Sequence, residues 1–139
     1  MEINGIAHIT LTVADFAAAR TFYGALLPAL GLVPLIDADG YYYCIGGRTG
    51  IGVRRSEHAA PGRFDAERVG LQHFCLRARD RAHVDAIHAL VVSLGAKVVR
   101  PPEEGPWAPG YYSTLFEDPD GIRIEMNHVP GRGHLGPKE

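Results

Sequence analysis

The sequence predicts an α+β fold of two tandem βαβββ modules, whose curved sheets face each other around a cleft. Three observations predict it: an internal repeat, the order of periodicities within each copy, and the size of each half. The segments GIAHITLTVAD (Gly5 to Asp15) and GLQHFCLRARD (Gly70 to Asp80) align without a gap, sharing Gly first, His fourth, Leu seventh and Asp last. In each copy an alternating, strand-like run is followed by a helical apolar stripe and then by three more strand signals. A half of about 65 residues with one helix over four strands leaves the second sheet face bare, so two modules must cover one another.

The elements follow in order. Alternation puts Ile9, Leu11 and Val13 on one face of the first strand and His8, Thr10 and Thr12 on the other. In the second copy Phe74 and Leu76 oppose His73, Cys75 and Arg77. Asp15 and Asp80 have the short carboxylate that caps unpaired N–H groups at a helix start. The helices they open carry the stripes Phe22, Tyr23, Leu26, Leu27, Leu30 and Val84, Ile87, Val91, Leu94. Gly31 and Gly95 are expected as left-handed C-caps, and Pro28 is expected to disrupt the last turn of the first helix. Further strands are LVPLID, YYYCIGG and GIGVRR in the first half, and AKVVRP, YYSTLF and GIRIEM in the second. The first module spans about residues 4–56, a polar linker with Pro61-Gly62 about 57–68, the second module about 69–128, and a core-poor tail 129–139.

The 46% apolar and 22% charged content are those of a globular domain. A formal charge of −2 offers no basic field for nucleic acid. No run approaches the ~18 apolar residues of a membrane span, and no basic leader precedes an apolar stretch, so a cytoplasmic protein is expected. Cys44 and Cys75 are read as reduced packing residues.

On this plan His8, His73 and Glu125 all project from the sheet faces turned away from the helices. Two imidazoles and a carboxylate meeting at one point form a facial triad for a divalent ion with open positions. An ion also supplies the charge that a buried Glu125 would need. The loop RPPEEGPWAPGYY, stiffened by prolines, offers Trp107, Tyr111 and Ser113 as a substrate wall, and Tyr41 and Tyr43 share one face of their strand. Each residue has a plainer alternative: hydrogen-bonded histidines, a surface glutamate, an aromatic loop packed on a partner chain. His58, His83, His88, His128 and His134 are read as structural or exposed.

GIAHITLTVAD, FYGALLPALGL, GLQHFCLRARD and FEDPDGIRIE resemble the vicinal oxygen chelate superfamily of glyoxalases, bleomycin-resistance proteins, fosfomycin-resistance transferases and extradiol dioxygenases. The resemblance runs from about Ile6 to Asn127. It implies paired βαβββ modules, often exchanged in a homodimer, with His8 from one chain and His73 and Glu125 from the other. It also implies one divalent metal (Zn, Ni, Mn or Fe(II)) acting as a Lewis acid on a small oxygenated substrate. Aligning GIGVRR with GIRIEM puts Arg54 where glyoxalases carry a fourth ligand that also serves as base, a role arginine cannot fill. Arg54 is instead a candidate anion clamp, or else the start of the polar linker paired with Glu57. Leu115 stands where extradiol dioxygenases usually place a phenol. Lyase or isomerase chemistry is therefore favoured over Fe(II) ring cleavage, with thiol transfer as a further reaction class. The alternative of another class is a metal-free protein of the bleomycin-resistance type that sequesters an aromatic or cationic natural product.

Overall fold

The computed structural model describes residues 1–58 and 62–131. Pro61 of the expected linker, and the tail beyond residue 131 with His134, lie outside the described residues. The chain divides into two compact units, 1–63 and 64–139, each with the expected order of strand, helix and three strands.

In the first unit, β1 (His8–Val13), β2 (Val33–Ala38), β3 (Tyr41–Gly46) and β4 (Thr49–Arg55) form one sheet in the order β1-β4-β3-β2, with α1 (Phe16–Ala29) against it. In the second, β5 (Phe74–Arg77), β6 (Lys97–Glu104), β7 (Tyr112–Glu117) and β8 (Arg123–His128) form the sheet β5-β8-β7-β6, with α2 (Arg81–Ser93) against it. The first strand of each unit runs parallel to the last, and the other pairs are antiparallel. His73 lies one residue ahead of β5, because the ladder with β8 begins at Phe74, whereas His8 already pairs in β1.

Both helices start and stop on the expected residues. The Asp15 carboxylate accepts from the Ala18 N–H at 3.0 Å and that of Asp80 from the His83 N–H at 2.9 Å. Gly31 (φ 81°) and Gly95 (φ 75°) turn left-handed after the last helical residues. The N–H groups of Leu32 and Ala96 then reach back to the carbonyls of Leu27 and Val91, and those of Gly31 and Gly95 to Pro28 and Val92. Pro28 departs from expectation. It sits inside α1, which continues to Ala29, because a proline forfeits only its own N–H while its carbonyl still serves the cap.

The stripes are the cores. Phe22, Tyr23, Leu26 and Leu27 are buried with Leu11, Val13, Tyr42, Ile51 and Val53 of the first sheet; Val84, Ile87 and Val91 are buried with Phe74, Phe116, Ile124 and Met126 of the second. Each such side chain contributes roughly 1.5–3 kcal/mol of transfer free energy. Pro34 lies on β2 and Pro101 and Pro102 on β6, both outer strands, where a missing ladder N–H is tolerated. Both strands also change register near these prolines. Among the described residues no helix is long and apolar enough to cross a membrane.

Candidate functional site

The sheet of the second unit turns Ile124 and Met126 toward α2, so strand alternation puts Arg123, Glu125 and Asn127 on the opposite, open face. The ladders align Cys75, Glu125, Leu115 and Arg100 in one row across β5, β8, β7 and β6. Glu125 is only 5% exposed. Its Oε1 accepts hydrogen bonds from the Tyr111 hydroxyl and, at 3.3 Å, from Arg100 Nη2. Its Oε2 lies 3.1 Å from His73 Nε2. The same Arg100 nitrogen donates to Ser113 Oγ at 2.7 Å.

Local structure explains why these groups meet. The loop between β6 and β7 is closed by the Gly105 N–H on the Tyr111 carbonyl and by the Tyr111 N–H on the Ala108 carbonyl, both at 3.0 Å. The Trp107 and Tyr111 rings flank Gly105 so closely that an added Cβ would stand 3.1 and 3.2 Å from them. Trp107 remains exposed, while Tyr111 is turned onto Glu125. Of the expected wall residues, Tyr111 therefore touches the carboxylate, Ser113 reaches it through Arg100, and Trp107 is exposed on the loop.

Arg100 and Gln72 complete the cluster and were not singled out by the sequence. Two register shifts in β6, between Val98 and Arg100 and between Arg100 and Glu103, break the alternation that would have shown the facing of Arg100. A buried, uncompensated carboxylate would cost several kcal/mol, and the Arg100 guanidinium supplies the opposing charge. Burial, followed by the hydrogen bond to Glu125, pushes the Tyr111 phenol up to about 12, so it serves as a donor. Burial and then the Glu125 charge likewise push the Cys75 thiol up to about 12. Cys75 is exposed by its accessible surface, although protein atoms crowd its thiol enough to disfavour the thiolate, and Cys44 is buried; both are free thiols.

His73 Nδ1 meets the side-chain oxygen of Gln72. With the proton on Nδ1 and donated to Gln72, Nε2 turns its lone pair toward Glu125 Oε2. Two electron-rich atoms 3.1 Å apart call for a proton or a cation between them. Ligands on an ion with bonds of about 2.1 Å lie about 3.0 Å apart at right angles and about 3.4 Å apart in a tetrahedron, so this edge is compatible with an ion as well as with a direct N–H···O hydrogen bond. The pair fits the metal as two of its ligands, with Gln72 as the outer acceptor that fixes the tautomer. Among the described residues no three or more His, Cys, Asp or Glu are grouped so that they could hold a metal ion.

In the first unit His8 opens β1 at an exposed position, opposite Gly50. Tyr41 and Tyr43 stack with centroids 6.2 Å apart and an interplanar angle of 8°. Their rings occupy the space over two glycines: a Cβ on Gly50 would stand 2.1 Å from the Tyr43 hydroxyl, and one on Gly52 would stand 3.1 Å from that of Tyr41. A hollow of about 470 Å³ opens here, lined by Val33, Tyr43, Ile45 and Arg48 among others. Arg54 pairs in the ladder with Thr12 and donates to Glu57 at 2.9 Å. Since Thr10 and Cys75 match in the repeat, and Thr10 faces Gly52 as Cys75 faces Glu125, the ladder equates Glu125 with Gly52 rather than with Arg54. Either residue leaves the first unit without a carboxylate at that position.

The sequence from residue 5 to 126 matches the family described as the glyoxalase/bleomycin resistance protein/dioxygenase superfamily. The chain is 29% identical over 130 residues to the uncharacterized protein YqjT of Bacillus subtilis (strain 168), covering 86% of this chain and 94% of that one. Its fold is similar to that of a lactoylglutathione lyase from Agrobacterium tumefaciens (26% identity, TM-score 0.67, 92% and 96% of the two chains). It is also similar to a glyoxalase/bleomycin resistance protein from Albidiferax ferrireducens T118 (24% identity, TM-score 0.73, 89% and 98%). With a match that spans both units and both copies of the repeat, the chain belongs to the glyoxalase/bleomycin resistance protein/dioxygenase superfamily.

Proposed function

We propose that the protein is a metal-dependent enzyme of glyoxalase type, holding one divalent first-row ion through His8, His73 and Glu125 and acting on a small oxygenated substrate. The observation that carries this reading is the 3.1 Å edge between His73 Nε2 and Glu125 Oε2, with the other imidazole nitrogen engaged by Gln72. When bound, the ion supplies Lewis-acid stabilisation of negative charge developing on a substrate oxygen. The chain's own residues do the rest. Glu125 is buried and paired with the Arg100 guanidinium. Tyr41, Tyr43 and Trp107 offer ring surface to the substrate. Arg54 can release Glu57 to clamp an anionic group, because an exposed ion pair of this kind contributes only about 0–1 kcal/mol. Lyase or isomerase chemistry is favoured, in keeping with the likeness to a lactoylglutathione lyase, and the apolar Leu115 supports no ring cleavage by Fe(II). A homodimer with exchanged modules belongs to the same proposal, and two free thiols suit a reducing, cytoplasmic setting.

A second reading has its own support. Arg100 neutralises Glu125 with no ion, which suits a metal-free protein that sequesters an aromatic ligand over the tyrosine pair. Metal analysis of untagged protein separates the two. Stoichiometric Zn, Ni, Mn or Fe, lost in His8→Ala, His73→Ala and Glu125→Ala alike, together with turnover of a thiohemiacetal or epoxide, supports the enzyme. Metal-free protein that stays metal-free after anaerobic reconstitution, yet binds aromatic ligands, overturns it in favour of sequestration. Oxygen uptake with Fe(II) and a catechol would instead restore ring cleavage.

A further inference from the structure

The two oxygens of Glu125 are not equivalent. Oε1 is taken by two donors, the Tyr111 hydroxyl and Arg100 Nη2, while among the described residues Oε2 meets only the His73 imidazole edge. Both donors are themselves held. Ser113 Oγ receives Arg100 Nη2 at 2.7 Å, and Tyr111 is tied by its backbone to Gly105 and Ala108. Ser113 and Glu125 are each at least nine-tenths buried, so water does not compete freely for these bonds. A carboxylate with two free oxygens can bind an ion through one or both; one whose Oε1 is already occupied can offer only the other.

Resting on the metal reading above, we infer that Arg100 and Tyr111 are positioning residues that hold Glu125 by Oε1, so that Oε2 alone is presented to the cation beside His73. Tyr111 and Ser113 then serve the carboxylate and its arginine rather than the substrate directly. Arg100 has two opposed effects on a metal. Its charge repels the ion, whereas its hydrogen bond fixes the ligand. The two can be told apart because they move affinity in opposite directions. Tyr111 has no charge, so its removal reports positioning alone.

The experiment titrates metal-free wild type, Tyr111→Phe, Arg100→Gln and Arg100→Lys with Zn(II) by calorimetry. Infrared difference spectra record the splitting of the carboxylate stretches on binding. The expected result is a Kd about 10-fold weaker in Tyr111→Phe and in Arg100→Gln, with partial recovery in Arg100→Lys, which keeps a donor. The infrared splitting should be wide in wild type, as for coordination through one oxygen, and narrow in the double variant of Tyr111→Phe and Arg100→Gln. An unchanged Kd in Tyr111→Phe, or a tighter one in Arg100→Gln, overturns the inference while leaving the metal reading in place. Wild type that takes up no Zn(II) overturns the metal reading itself, and this is seen before any variant is compared. Far-UV circular dichroism confirms that each variant is folded, and the conservative Tyr111→Phe and Arg100→Lys keep the comparison decisive should Arg100→Gln unfold.

Discussion

Two glycines only four residues apart answer to different neighbours. A Cβ on Gly46 would stand 2.9 Å from the Gly31 carbonyl oxygen and 3.1 Å from the Leu32 Cα, both backbone atoms that close the end of α1. A Cβ on Gly50 would meet the Tyr43 hydroxyl and two ring carbons at 2.1–2.9 Å, side-chain atoms that must shift rather than backbone. Gly46→Ala should therefore lower stability by about 1–3 kcal/mol in urea unfolding. Gly50→Ala should leave the midpoint nearly unchanged but disturb the stacked Tyr41 and Tyr43, read as altered near-ultraviolet circular dichroism. The same scale separates the two arginines. Arg54 was a candidate from the alignment of GIGVRR with GIRIEM, and its partner is Glu57 on an exposed stretch. Arg100, hidden in a proline-rich run, is the one that touches Glu125.

At the scale of elements, each helix is bounded by signals readable in one pass: an aspartate, an apolar stripe, and a glycine that must turn left-handed. Asp15→Ala and Asp80→Ala should each cost about 1 kcal/mol by loss of a capped N–H. Because the caps lie in different units, the double variant should lose about 2 kcal/mol, measured as the sum of the two shifts in urea unfolding. Strand identity was equally legible, but strand register was not. GIGVRR and GIRIEM look alike from their first glycine, yet Gly50 lies within β4 whereas Gly121 lies in the turn before β8 with φ 92°. The connection to β4 is a tight turn at Gly47 and Arg48, while the connection to β8 runs through Asp118, whose Oδ1 accepts from the Asp120 and Ile122 N–H groups at 2.9 and 2.8 Å. Turn length sets register, and here it moves the matching position by two residues, which preserves the face but changes the residue.

For the whole molecule, a ligand that binds only the folded state must raise its stability. Zn(II) at 100 times its Kd should add about 2.7 kcal/mol to unfolding, visible as a higher thermal midpoint that chelation reverses. Glu125→Gln should abolish that increment, since a neutral amide cannot replace the carboxylate as an ion's charge partner. The duplicated chain alone determined the fold class, the order of elements, the caps and the core stripes, because these rest on local periodicity and backbone chemistry repeated in each half. It also offered His8, His73 and Glu125 as metal ligands, Tyr41, Tyr43, Trp107, Tyr111 and Ser113 as substrate contacts and Arg54 as an anion clamp; of these, His73 and Tyr111 stand against Glu125. Only the tertiary structure decided that Arg100 faces Glu125, that Gln72 engages His73, and that Gly52 matches Glu125. Such pairings depend on bulges, turn lengths and ladder register, which are set by how strands align and not by any one strand's own sequence.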